Sequence, residues 1–286
     1  MSIIDIHPHV IAADTARYPL APLGGTVSGW AASRPVTTEQ FLALMDANGI
    51  DKAVLVQAST AYGYDNSYVA DSSAAYPDRL LAVGCFDPLA ANAPDQLAYW
   101  VQERGLVGAR LFTTGSTMPD QADWLSSPAT FPFWKAAAEL NVPVCVQMRL
   151  PAADDLRAVL ERFPDTRVVL DHMAYPPIAD GQEAEAARTL CSLATYPNLF
   201  LKLTIRNTSL LATVTAPERF LEPLLVAFGS SRIAWGSNFP AATEPLDELI
   251  ATARTVLARV PAEARAHILH GTAIRLYPRL AGAASA

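Results

Sequence analysis

Three short pieces of this chain hold the residue types best suited to acid–base or metal chemistry. They are Asp5-Ile6-His7-Pro8-His9, Leu170-Asp171-His172-Met173 and Trp235-Gly236-Ser237-Asn238-Phe239-Pro240. The chain has only five histidines, and three of them fall here. Imidazole is the side chain that most readily holds a metal ion or moves a proton near neutral pH. A His-X-His pair can present two rings to one ion, and catalytic zinc takes about three protein ligands and an open position. His7, His9 and His172 are therefore candidates both for metal ligands and for proton transfer. The plainer alternative for the first two is a pair of hydrogen-bonded histidines at a strand end. Pro8 between them suits a strand terminus, where its missing N–H breaks no ladder bond.

Each piece ends an apolar, strand-like run. Candidate strands are Ile3–His9, Ala53–Ser59, Leu80–Phe86, Gly108–Phe112, Val142–Gln147, Arg167–His172, Leu199–Thr204 and Arg232–Asn238. Several are nearly continuous in Val, Leu and Ile, the pattern of parallel strands covered on both faces. Amphipathic helical patterns alternate with them: 37–48, 68–76, 94–104, 131–140, 152–162, 183–194, 217–227 and 246–260, with a last helix over 261–271. Thr38 is the expected N-cap of the first and Gly49 its stop. Eight strand–helix units predict a (β/α)8 TIM barrel, distorted and carrying an extra C-terminal helix. An open doubly wound sheet is the alternative, but no GxGxxG or GxxxxGK[ST] supports it. The loop-like stretch 12–36 is expected to fold over the barrel mouth.

In a barrel the C-terminal strand ends converge, so residues from distant strands can meet. Side chains two apart share a face, which places Asp5, His7 and His9 inward. Gln57 and Ser59, Arg110, Gln147 and Arg149, and Lys202, Thr204 and Arg206 complete the inward set. Asp171 has the phase opposite to His172 and is expected to face the helices or support a loop. A charge in an apolar barrel strand is costly unless paired, so Arg110 and Lys202 stand out. Four cations facing Asp5 alone predict a positive mouth, and arginine's planar fork suits a carboxylate. The expected partner is a small anionic, carboxylate-bearing substrate.

Composition sets the bounds. The 286 residues, 51% apolar, suit one barrel domain spanning 1–286, with a frayed tail over 281–286. The net charge of −7 with no basic run argues against nucleic acid. No apolar run approaches the ~20 residues that cross a bilayer, and no signal peptide is evident. Cys85, Cys145 and Cys191 are odd in number and far apart, without a CxxC pair. These features point to the cytoplasm, and a homodimer is compatible with them.

The motifs together resemble the amidohydrolase superfamily, specifically the amidohydrolase 2 branch that contains 2-pyrone-4,6-dicarboxylate hydrolase and sugar-acid lactonases. Besides the three pieces above, the likeness rests on Arg17-Tyr18-Pro19, Val54-Leu55-Val56-Gln57, Tyr62-Gly63-Tyr64-Asp65-Asn66, Gly108-Ala109-Arg110, Lys202-Leu203-Thr204 and Thr272-Ala273-Ile274-Arg275-Leu276-Tyr277. The resemblance implies a barrel that adds water to a lactone or related ester, with an active site at His7, His9, His172 and Asn238. Relatives commonly place aspartate where Asn238 stands, and an amide cannot accept a proton at pH 7. Gln147 likewise ends the fifth strand, where metal-rich relatives have a histidine or a modified lysine. Three histidines and two amides match a firmly held ion poorly. The expectation is therefore no cofactor or a weakly held divalent ion, zinc foremost, on His7, His9 and His172. In the leading reading His172 is the general base, while His7, His9 and Lys202 polarise a lactone carbonyl. Asn238 positions water, and Arg110, with Arg149 or Arg206, anchors a carboxylate. Gln57, Gln147, Tyr18, Tyr62 and Tyr175 are expected to contact substrate. The alternatives are a metal-dependent decarboxylase of aromatic or unsaturated acids and an inactive ligand-binding barrel.

Overall fold

A computed structural model, which describes residues 2–282, shows eight parallel strands following one another in chain order around a barrel. They are β1 (Ile3–Asp5), β2 (Ile50–Val56), β3 (Leu80–Cys85), β4 (Gly108–Phe112), β5 (Val144–Gln147), β6 (Val168–Leu170), β7 (Leu199–Thr204) and β8 (Ile233–Gly236). At least one helix follows every strand. The fold is the (β/α)8 barrel that the alternating patterns predict.

Strand alternation sorts the apolar side chains into two layers. Ile4, Val54, Leu81, Val83, Cys145, Val169, Phe200 and Ala234 pack together inside the ring. Ile3, Leu55, Ala82, Leu111, Val144, Leu170, Leu201 and Trp235 pack against the helices. The bottom is closed by the C-terminal segment, whose Ala273, Leu276, Tyr277 and Leu280 join the inner layer. The helix expected over 261–271 is shorter and continues differently. Ala262–Ala266 opens into a wider π turn, His267–Gly271, and then resumes as Thr272–Leu276. Thr37, one residue before the expected Thr38, caps helix Thr38–Asn48, and Gly49 ends it at φ 66° as expected. Residues 283–286, most of the expected tail, lie outside the described residues.

The ring closes at an irregular seam. β8 and β1 share no regular ladder. Instead Asn238 N–H donates to His7 O (2.9 Å) and His9 N–H donates to Phe239 O (2.7 Å). The Asp5 carboxylate accepts from Ser237 N–H (2.8 Å) and from His7 N–H (3.0 Å). Gly236 is required here, because a Cβ on it would lie 2.5 Å from the His7 Cβ.

Several strands stop sooner than expected, among them β1 at Asp5, β2 at Val56, β6 at Leu170 and β8 at Gly236. The chemistry-bearing residues therefore sit on irregular backbone just past the strand ends. Two expectations of facing change as a result. Asp5 shares its phase with outer-layer Ile3, and its carboxylate stitches the seam. Asp171 follows the phase of inner-layer Val169 and so turns inward.

Candidate active site

The strand ends surround a cavity of about 290 Å³. His9, Ser59, Arg110, Gln147, Arg149, His172, Tyr175, Arg206 and Asn238 border it, so nine of the expected residues meet at one place. His7 and Lys202 do not border it; both are fully buried beneath it. His7 nonetheless touches the group, with its ring centroid 5.1 Å from that of His9 and 4.8 Å from that of His172.

Three other expected contacts lie elsewhere, for identifiable reasons. The Gln57 amide is spent on the carbonyls of Gly63 (3.0 Å) and Asp65 (2.8 Å). Tyr62 accepts from Ala12 N–H at 2.7 Å and packs in a small cluster under the 12–36 loop. The Tyr18 hydroxyl donates to Asp71 at 2.7 Å. These groups hold loops and do not face the cavity.

Beneath the cavity lies a buried ionic cluster centred on Asp171. Its Oδ1 is 2.8 Å from Lys202 Nζ and 3.6 Å from His7 Nδ1, and its Oδ2 accepts from Arg110 Nε at 2.8 Å. Arg110 also donates to the Gln147 side chain. Burial alone would push the Asp171 carboxyl up, but Lys202, His7 and Arg110 outweigh it and hold it well below the usual carboxylate range. Asp171 thus takes up two of the cations expected to face Asp5 alone. Arg149 and Arg206, both exposed, are left at the mouth. Arg149 reaches only the Pro119 carbonyl, at 3.4 Å, and Arg206 makes no hydrogen bond or ion pair among the described residues.

All three imidazoles are neutral near pH 7. Burial lowers His7 and His172 well below the ordinary histidine value, and burial together with Arg110 lowers His9 to about 4. His9 Nδ1 lies 2.7 Å from the Val56 carbonyl, which can only accept. The proton is therefore on Nδ1, and Nε2 carries a bare lone pair. His172 Nδ1 lies 2.7 Å from Thr204 Oγ1, which can accept from it, and among the described residues its Nε2 makes no hydrogen bond. Burial pushes the Tyr175 phenol up to about 12, which keeps it a proton donor.

Several residues that shape the site were not singled out from sequence. Trp30, on the short helix Gly29–Ser33, lines the cavity and tilts against His9 with centroids 5.3 Å apart. Phe112, Thr114 and Ser116 line the opposite part. For Phe112 the signal was present, because it shares the phase of Arg110 on β4.

His7, His9 and His172 are the donors a divalent ion would use, and their fit is poor. Among the described residues no three His, Cys, Asp or Glu side chains are grouped to hold one. Asp171 is committed to two cations and Asn238 is a neutral amide, so the available donors bring no charge to offset an ion. In favour stand the two nitrogens of His7, which are buried and without hydrogen-bond partners among the described residues.

The family model described as amidohydrolase matches residues 4–279. The chain belongs to the amidohydrolase family. It is 32% identical to an L-fucono-1,5-lactonase of Burkholderia ambifaria over 209 residues, 69% of this chain and 67% of that protein. Among solved structures it resembles a Pseudomonas putida protein provisionally assigned as a 2-pyrone-4,6-dicarboxylic acid hydrolase. The TM-score is 0.78 at 20% identity, covering 96% of this chain and 97% of the other. A Burkholderia multivorans amidohydrolase with bound zinc gives a TM-score of 0.74 at 24% identity, covering 97% and 99%. These two structural likenesses establish the fold. No helix of the described residues is long and apolar enough to cross a membrane.

Proposed function

We propose that this amidohydrolase opens the ring ester of a small lactone that bears a carboxylate. The observation that carries the reading is the pairing of a neutral, partner-free His172 Nε2 with two uncommitted arginines around one cavity. Similarity to a lactonase over two thirds of the chain supports the ester as the bond attacked.

Water is held between the bare His9 Nε2 and the Asn238 amide. It attacks the lactone carbonyl carbon as His172 Nε2 takes its proton. His172 is assigned the base and His9 the placing of the water. Asp171 favours and Arg110 opposes an imidazolium on both rings, so substitution of each histidine decides between the roles. The Tyr175 hydroxyl and the Asn238 amide donate to the oxyanion that forms. When the ring C–O bond breaks, the imidazolium returns its proton to the leaving alkoxide, and the product is a hydroxy acid. Arg149 and Arg206 bind the substrate's separate carboxylate.

His172→Asn is expected to lower kcat by roughly 10²–10⁴-fold with little change in KM, measured across sugar lactones, muconolactones and pyrone dicarboxylates. Unchanged turnover in His172→Asn, with loss in His9→Asn, would reverse the two roles. A chelator added to the same panel separates the decarboxylase alternative, which needs a firmly bound ion that this donor set does not suit.

A further inference from the structure

The segment after β6 brings His172 and Tyr175 to the cavity by an uncommon backbone route. His172, Met173, Ala174 and Tyr175 have φ of 55°, 52°, 58° and 56°. These are four successive non-glycine residues in the left-handed region, where each costs roughly 1–2 kcal/mol. Such a turn persists only when its surroundings hold it. Within it, Tyr175 N–H donates to His172 O at 3.0 Å.

Among the described residues one side chain grips this turn's backbone from outside. Asn207, in the first turn of helix Ile205–Leu211, donates from Nδ2 to His172 O at 2.8 Å. Its Oδ1 accepts from Thr204 N–H at 3.1 Å. Thr204 in turn contacts the His172 ring nitrogen through its hydroxyl, at 2.7 Å. A single buried amide therefore ties the backbone of His172 to the residue that steadies its ring. Asn207 itself does not border the cavity.

We infer that Asn207 is a positioning residue for the reaction: it fixes the left-handed turn and so sets where His172 presents Nε2. This rests on the hydrolytic reading of His172 given above. The competing account is that Asn207 merely caps a helix, and the two ends of its amide separate the accounts. Asn207→Asp keeps an oxygen to accept from Thr204 N–H, and aspartate serves a helix start about as well as asparagine. It replaces the donor to His172 O with a carboxylate oxygen facing a carbonyl.

The experiment compares kcat, KM and unfolding temperature of the full chain with Asn207→Asp, Ala174→Gly/Asn207→Asp, His172→Asn and His172→Asn/Asn207→Asp. Asn207→Asp is expected to lower kcat roughly 10–100-fold, as a misplacement of about an ångström does, with KM within about 3-fold. Adding Ala174→Gly relieves left-handed strain and should restore at least about 3-fold of the lost kcat. In the His172→Asn background, Asn207→Asp should cost much less, because only the Tyr175 contact carried by the same turn remains to be lost. Wild-type kcat in Asn207→Asp, or an equal loss with and without His172, would overturn the proposal. If Asn207→Asp unfolds, an Ala174→Gly/Asn207→Asp double variant that recovers the fold with wild-type kcat also overturns it; recovery with reduced kcat supports it. Should the wild type hydrolyse no lactone, the functional reading falls by itself. A crystal structure of Asn207→Asp would still decide the positioning role, according to whether residues 172–175 leave the left-handed region.

Discussion

The floor of the cavity and its rim carry the same kinds of charge and use them in opposite ways. On the floor, Asp171 binds Lys202 and Arg110 in full burial, and each charge has its partner. At the rim, Arg149 and Arg206 face solvent with little to hold them. Residue type alone makes Arg110 and Arg206 equivalent candidates for binding a carboxylate. Pairing decides between them: a guanidinium already committed to a buried aspartate is scaffold, and an open one can receive substrate. The contrast also separates stability from affinity, because breaking a buried pair strands a charge and costs stability, whereas an exposed cation contributes little to stability and stays open to a ligand.

The sharpest way to break the comparison is Asp171→Asn. Removing one member of a buried ionic group leaves the others uncompensated, at about 3–5 kcal/mol, and here two cations lose their partner together. Urea unfolding should show a loss of that order, with activity falling as His7 and Arg110 shift. A change below about 1 kcal/mol would mean that the floor is solvated and that its charges are no more confined than those above.

The histidines set a second expectation. His9 is held at about 4 when folded and returns to about 6.5 when unfolded. The unfolded chain therefore binds more protons below pH 6.5, and stability falls with acidification from there down to the folded value. For His9 alone the loss approaches roughly 3 kcal/mol at pH 4, at 1.36 kcal/mol per pH unit, and His7 and His172 share its sign. Asp171 acts in a lower window. Its folded value is depressed, so its stabilisation is present above about 3.9 and fades only as pH falls below that. Unfolding free energy measured from pH 7.5 to 4.5 should drop most steeply below 6.5. A flat profile down to pH 5 would show that the imidazoles are already wet.

Much of this arrangement could be read from the chain. Apolar runs marked the strands, and Arg110 and Lys202 were conspicuous because a charge inside such a run needs a reason. Less could be read past the strand ends. Alternation places Asp171 inward beside Val169, whereas continuing β6 through His172 turned it outward; the left-handed turn that admits both residues has no glycine to announce it. Tyr18, Tyr62 and Gln57 have the types of binding residues, but type does not disclose that Asp71, Ala12 and two carbonyls already occupy them. Trp30 sat in a loop without periodicity, where nothing local fixes its direction.

At the rim, Arg206→Ala and Arg149→Ala test the other half of the comparison. Each should raise KM for a carboxylated lactone by roughly 10-fold or more, the loss of a charge-assisted contact worth about 1.5–3 kcal/mol. Stability should stay within about 0.5 kcal/mol, as for exposed substitutions generally. If a neutral lactone suffers the same KM increase, the arginines read something other than the carboxylate.

The smallest effect is expected at a partly exposed ion pair away from the cavity, on the helix Ser67–Ala75. Asp71 binds Arg17 (2.8 Å), Arg104 (2.7 Å) and the Tyr18 hydroxyl (2.7 Å), so like Asp171 it holds two cations at close range. Its side chain, however, is 32% exposed and that of Arg17 is 66% exposed. Water can replace each partner, so Asp71→Asn should cost no more than about 1 kcal/mol. Its consequence lies in the loop it tethers, the stretch that carries Tyr18 and, further on, Trp30 against His9. A modest KM increase with unchanged kcat is the expected signature, weakening the wall of the cavity while the floor stays intact. A stability loss rivalling that of Asp171→Asn would show that burial does not distinguish the two clusters.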